Sequence, residues 1–314
     1  MHKIKFGLFF PQVGLDFASI RARAQLADRL GYDSVSFVDH MWSRGLPDID
    51  HLEAWTVMTA TAAVTERIRI GALVLCNSYR NPALLAKMAS SLDAVSNGRL
   101  ILGIGAGWMD EEYGAYGYTF PRVRMRAEQL EEGIEVIKRL FTEPRATFQG
   151  KYYSVADAPN LPKPVQKPHP PILVGGAGEK LILPIVARHA NIWNCPNNHS
   201  TALPRRLEVL HGHCQAAGRD PAEIEVSEQC IVVLGRDDKD FQEKWGMAKK
   251  LLGAVFDLEK TAFRGTPEQV VEQFQKRIGQ GVTTFTFLLS DFHSPESLEL
   301  FAEKVLPAFA SASA

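Results

Sequence analysis

The chain has 314 residues, 46% of them hydrophobic and 23% charged, and a formal net charge of −1. That balance suits a globular protein with a large core and lacks the basic footprint that nucleic acid or an anionic membrane surface attracts. No stretch approaches the ~20 apolar residues of a membrane span, the N-terminal apolar run is too short for a signal peptide, and the four scattered cysteines form no C-x-x-C pair, so a soluble cytoplasmic protein without a metal is expected.

Strands are expected to begin near Ile4, Asp33, Ile68, Leu100, Pro171, Asn191, Ile224 and Val282, each a β-rich run. Helical periodicity alternates with them at about 17–31, 53–66, 82–96, 122–141, 179–189, 201–217, 267–280 and 295–309. Eight strands alternating with eight helices predict a parallel α/β fold, and the strands read as runs buried on both faces. A (β/α)8 TIM barrel uses ~250 residues in a single domain, so residues 1–314 are expected to form one; an open doubly wound sheet is the competing architecture. Two gaps between strands are too long for one βα unit. The first insertion, at about 142–170 after strand 4, contains a hairpin over 146–154 and a proline-rich connector; the second, at about 236–266 after strand 7, carries a helix of its own. Asn81-Pro82, Thr266-Pro267 and Ser294-Pro295 each place a capping residue before a proline, and Gln269 completes a capping box with Thr266.

The run Leu100-Ile-Leu-Gly-Ile-Gly-Ala-Gly-Trp108 suggests a dinucleotide fingerprint but fails it, because the third glycine position holds Trp108 and the run closes the fourth strand rather than the first. Two readings of its glycines remain. They thin a crowded barrel strand, or Gly105 and Gly107 let a flat ligand lie against the backbone at the C-terminal mouth, where barrel active sites sit. Other strand ends point to the same mouth. Strand 2 ends in Asp39-His40, a carboxylate and an imidazole able to bind a ring and move a proton. Strand 3 ends in Cys76-Asn77, and strand 5 runs into Gly175-Gly176-Ala177-Gly178 before a helix, a turn whose N–H groups suit phosphate.

Together with Phe6-Gly-Leu-Phe-Phe-Pro11, Ala27-Asp-Arg-Leu-Gly-Tyr-Asp-Ser34, Arg80-Asn-Pro82, Ser96-Asn-Gly-Arg99, Ala217-Gly-Arg-Asp-Pro-Ala-Glu-Ile224 and Gly265-Thr-Pro-Glu268, these residues resemble the bacterial luciferase-like monooxygenase superfamily. Within it the chain is most similar to oxidoreductases that use the deazaflavin coenzyme F420, over about residues 4–307. The resemblance implies that His40 is the proton donor or acceptor and that Asp39 touches the cofactor. It implies a bulge with a non-proline cis peptide at Leu73–Val74 behind the cofactor ring. Cys76, Ala106 and Gly107 would line the cofactor, and Gly175, Gly176, Ala177 and Gly178 would hold its phosphate.

The implied activity is hydride transfer between the deazaflavin and a small organic substrate, His40 exchanging the proton with neighbours that include Asp39 orienting it. A reduced-FMN-dependent monooxygenase and a non-catalytic flavin-binding protein are the alternatives on the same fold. Members often pair as homodimers. Two departures argue against sugar phosphate as substrate: the sugar-phosphate dehydrogenases carry a glutamate where Trp108 stands, and a tryptophan where Arg44 stands. The 142–170 insertion, with Tyr152 and Tyr153, is either a lid or an ordered surface hairpin.

Overall fold

The computed structural model describes residues 3–291 and 294–310. Eight parallel strands follow one another in chain order: β1 (Lys5–Phe9), β2 (Ser34–Phe37), β3 (Arg69–Ala72), β4 (Leu100–Gly105), β5 (Ile172–Gly175), β6 (Ile192–Cys195), β7 (Glu225–Leu234) and β8 (Thr284–Leu289). Each pairs with the next, and β8 pairs back onto β1, so the sheet closes into a barrel and no open edge remains in the ring. The expected TIM barrel is present, and the doubly wound alternative is excluded by that closure.

The main core lies between the strands and their surrounding helices, as expected for a sheet covered on its outer face. Asn81 caps the helix Pro82–Val95 through Ala83 N–H at 2.9 Å, and Thr266 with Gln269 forms the capping box of Pro267–Ile278. The third expected start shifts by one residue: Ser294 accepts from Glu296 N–H at 3.2 Å, and Pro295 occupies the cap position before Glu296–Lys304. Ordering by composition alone cannot resolve that single step.

The first insertion is a hairpin of strands Arg145–Gln149 and Ser154–Pro159. It is docked on the outside of the helix Val123–Thr142, where the Glu132 carboxylate accepts from the N–H groups of Lys151, Tyr152 and Tyr153. Tyr153 also accepts from Asn77 on the loop after β3 at 3.1 Å, so the hairpin joins the outer helix to that loop. The second insertion holds the helix Asp238–Leu252, a short turn Leu258–Thr261 and a further strand, Ala262–Gly265, that extends the sheet beside β7.

The third strand carries a bulge. Gly71 pairs with Ile101 and Leu75 with Ile104, so a step of four residues on one strand faces a step of three on the other. The Leu73–Val74 peptide within it is cis, as the resemblance implied. Its Val74 side chain needs space, and the neighbouring strands supply it as glycine. A Cβ on Gly105 would lie 2.7 Å from Val74 Cγ2, and one on Gly175 2.8 Å from Val74 Cγ1. A Cβ on Gly103 would meet the Ala72 carbonyl oxygen at 2.0 Å, a backbone atom that cannot swing aside. The glycine run therefore thins the barrel for its own bulge, and Gly105 faces protein in the direction its side chain would take.

That contact generates a test of the packing. Gly103→Ala is expected to lose about 1–3 kcal/mol of stability, the range for overpacking a close-packed interior, measured by urea unfolding. A variant as stable as the parent would contradict the reading.

Candidate active site

The mouth of the barrel is assembled by the loops after β2, β3 and β4, and a single buried carboxylate joins them. The turn after β4 reverses at Gly107, whose φ of +75° suits glycine, and leads into a short helix, Asp110–Ala115. A Cβ on Gly107 would sit 2.1 Å from the Tyr113 hydroxyl and 2.8 Å from Cys76 Sγ, so this glycine admits the Cys76–Tyr113 contact at 2.9 Å. The helix turns Glu112 and Tyr113 fully inward while Trp108 stays 57% exposed. Tyr113 packs against Tyr79 and Phe120, which fixes the helix on the third loop.

Glu112 then reaches all three loops. Its Oε2 lies 2.9 Å from His40 Nδ1 and accepts from the Tyr79 hydroxyl at 2.5 Å, while Oε1 accepts from Met41 N–H. Burial raises the pKa of such a carboxyl, but the bonds from His40, Tyr79 and Met41 outweigh it, and Glu112 is held below the ordinary glutamate value of 4.5. An ionised carboxylate only accepts, so His40 donates from Nδ1 and its Nε2 is the nitrogen left for other partners. The orienting partner of His40 is thus Glu112 and not Asp39, a correction to the sequence-based expectation. Asp39 lay one residue from the histidine in sequence, whereas successive residues leaving a strand point to different sides.

Asp39 has another role in this geometry. Its two oxygens take Arg80 in a bidentate pair at 2.7 and 2.8 Å, and Oδ2 also accepts from Cys76 N–H at 2.8 Å. Arg80 continues to Glu53 at 2.6 Å, which itself caps the helix Ala54–Val64 through Trp55 and Thr56 N–H. Burial disfavours the guanidinium charge, yet the two carboxylates raise its pKa further still. Removing one partner from such a buried pair costs about 3–5 kcal/mol, so Asp39 anchors the ends of β2 and β3 beside the bulge. Cys76 is buried there; desolvation pushes its thiol up to about 11, so it lines the wall as a protonated group and not as a nucleophile.

Beside β4, at the end of β5, Gly175–Gly178 forms an open turn. Gly176 has φ +133°, and the region just beyond Gly176 and Gly178 is filled by Ile182. Gly176 N–H bonds to the Asn194 carbonyl. Among the described residues, the N–H groups of the next four positions, 177–180, have no protein acceptor. The Arg206 guanidinium braces the turn from behind, donating to the Ala177 carbonyl at 3.2 Å and to His199. Leu73, Val74, Ala106 and Gly107 are partly exposed at the mouth between the two halves.

The structure therefore brings His40, Leu73, Val74, Cys76, Ala106 and Gly107 around one opening, with the glycine turn on the next strand, β5. It also supplies residues the sequence did not single out, Glu112, Tyr79 and Arg206, and gives a partner to Arg80, which the sequence marked only as part of a motif. His51 joins them, its two ring nitrogens buried without a partner and its pKa lowered by burial and by His40. Among the described residues, no group of three His, Cys, Asp or Glu side chains is placed to hold a metal, and no helix is long and apolar enough to cross a membrane.

Comparison with known proteins gives the family and the fold. The family model described as luciferase-like monooxygenase matches residues 4–256. An F420-dependent glucose-6-phosphate dehydrogenase of Microbacterium testaceum is 34% identical over 95% of this chain and 94% of its own. An FMNH(2)-dependent dimethylsulfone monooxygenase of Pseudomonas putida is 26% identical over 97% of this chain and 94% of its own. An F420-dependent secondary alcohol dehydrogenase, solved with an F420-acetone adduct, superposes with a TM-score of 0.83 at 21% identity, covering 98% of this chain and all of that one. The chain belongs to the luciferase-like monooxygenase family.

The position of Glu112 carries a pH dependence. Its folded pKa lies below its unfolded value of 4.5, so it adds stability that is present above 4.5 and lost as pH falls through the lowered value. Between about pH 5 and pH 3 the parent should lose stability more steeply than Glu112→Gln in urea unfolding. Parallel curves would contradict the assigned charge.

Proposed function

We propose that this member of the luciferase-like monooxygenase family is a deazaflavin-dependent oxidoreductase that transfers a hydride between coenzyme F420 and a small organic substrate. The observation that supports it most is the His40–Glu112 pair at 2.9 Å, set at the barrel mouth beside the Leu73–Val74 bulge. The 34% identity to an F420-dependent dehydrogenase along nearly the whole chain supports the deazaflavin over FMN.

The residues present suit such a cofactor. The bulge at Leu73–Val74, with Cys76, Ala106 and Gly107 beside it, offers an apolar wall for a flat ring, and the side of that wall away from the mouth is already filled by protein. The four unpaired N–H groups of 177–180 suit a phosphate, and Arg206 behind them adds positive charge. When bound, the deazaflavin supplies or accepts the hydride, which is chemistry no side chain offers.

The protein's share is position and one proton. Glu112 fixes the His40 ring through Nδ1, and Nε2 exchanges the proton that accompanies the hydride. Tyr79 keeps the Glu112 carboxylate in place, and with it the orientation of the His40 ring. Asp39 and Arg80 hold the backbone of β3 so that the wall and the histidine keep their spacing.

A second reading, a reduced-FMN monooxygenase, is favoured by the likeness to the dimethylsulfone enzyme and to solved monooxygenases of the same fold. Oxygen uptake with reduced FMN distinguishes it. For the deazaflavin reading, His40→Ala is expected to bind cofactor as the parent does while turnover falls about 100-fold or more, the usual worth of general acid–base catalysis. Stopped-flow oxidation of reduced deazaflavin measures it. Unchanged turnover in His40→Ala would overturn the role of His40.

A further inference from the structure

The rim beside His40 has a composition that the cofactor reading leaves unused. Trp108 is 57% exposed although it is the largest side chain of its loop. Its ring meets the His40 ring edge to face, with centroids 5.4 Å apart and planes at 86°. On the same two loops Trp42 and Tyr116 stack on each other at 5.6 Å and 23°, Tyr116 being 54% exposed. Leu46 and Ile49 on the loop after β2 are exposed as well. Exposed aromatic surface of this extent beside a proton-transferring group needs a purpose, since isolated apolar side chains scatter over a surface but do not line one opening.

Charge narrows what that surface takes. The two loops, 41–53 and 106–118, contain Arg44 as their only Lys or Arg. They contain six acids: Asp48, Asp50, Glu53, Asp110, Glu111 and Glu112. Arg44 is already engaged, with its Cζ 5.5 Å from the Trp108 ring centroid and its guanidinium 3.8 Å from Glu111. Arg80 is likewise closed off by Asp39 and Glu53. An anionic substrate entering here would meet net negative charge and no unpaired Lys or Arg from these loops.

We infer that Trp108 is a specificity-determining residue and that the substrate is a flat, uncharged π-system lying against Trp108 within reach of His40. The inference rests on the proposed function only in taking the His40 side of the mouth as the reacting end. An indole face offers the most to such a molecule, through burial and through ring contacts. Arg44 lies over the indole, with its Cζ 5.5 Å from the ring centroid. Sugar phosphates fall outside this class twice over, being neither flat nor uncharged.

Coumarin, a flat uncharged lactone, is a suitable probe, with coumarin-3-carboxylate and glucose 6-phosphate as anionic counterparts. Isothermal titration is run on the protein with and without saturating deazaflavin, so that binding of the probe is read separately from binding of the cofactor. Coumarin is expected to bind in at least one state. Trp108→Ala should weaken it about tenfold or more and Trp108→Phe by about threefold or less, since the smaller ring keeps part of the stacking surface. Neither anion should bind more tightly than coumarin. Absence of coumarin binding in both states, equal affinity in Trp108→Ala, or tighter binding of coumarin-3-carboxylate would each overturn the inference. Failure of the deazaflavin to bind while coumarin still binds through Trp108 would instead overturn the cofactor reading alone.

Discussion

The site depends on one buried anion. Glu112 lies on a six-residue helix and is fully buried, yet it carries charge because three donors from two other loops converge on it. A buried carboxylate without partners would take up a proton, and with partners it becomes a fixed point that the partners share. His40, Met41 and Tyr79 therefore cannot move independently. The loops after β2, β3 and β4 behave as one rigid rim over a barrel whose own strands are thinned by glycine to admit the bulge at Leu73–Val74.

A second buried ion pair works beside the first and for a different end. Asp39 and Arg80 tie the second strand to the third below the rim, and Glu53 carries the connection to the helix Ala54–Val64. One pair orients an imidazole whose outer nitrogen stays free. The other leaves no free atom on its carboxylate and serves the backbone. Two adjacent residues in sequence, Asp39 and His40, thus join two different networks, one through Arg80 and Cys76 and the other through Glu112.

The barrel was largely legible in the sequence, because parallel strands covered by helices leave a periodic record in the order of apolar runs and caps. All eight strand starts lie within two residues of the expected ones. The cis peptide at Leu73–Val74 was legible through family resemblance alone, since nothing in the side chains of Leu and Val marks it. Glu112 was not legible. Asp110-Glu111-Glu112 reads as a solvated charged stretch, and only the helix that Gly107 and Tyr113 position turns one of the three carboxylates inward. The glycines were legible as a constraint but not in direction: Gly105 and Gly107 leave room for Val74, Tyr113 and Cys76. The pairings of Arg80 and Arg206 were not legible because their partners lie 41 and 29 positions away in the chain, beyond the reach of any local pattern.

The family supports both deazaflavin and flavin chemistry on this frame, so the identity of the bound ring decides the account. The most direct measurement is equilibrium binding of oxidised coenzyme F420 and of FMN to the purified protein, each followed by its own fluorescence. The account predicts saturable binding of the deazaflavin, with FMN about tenfold weaker or more, a difference of at least ~1.4 kcal/mol. Tighter binding of FMN than of the deazaflavin would contradict it.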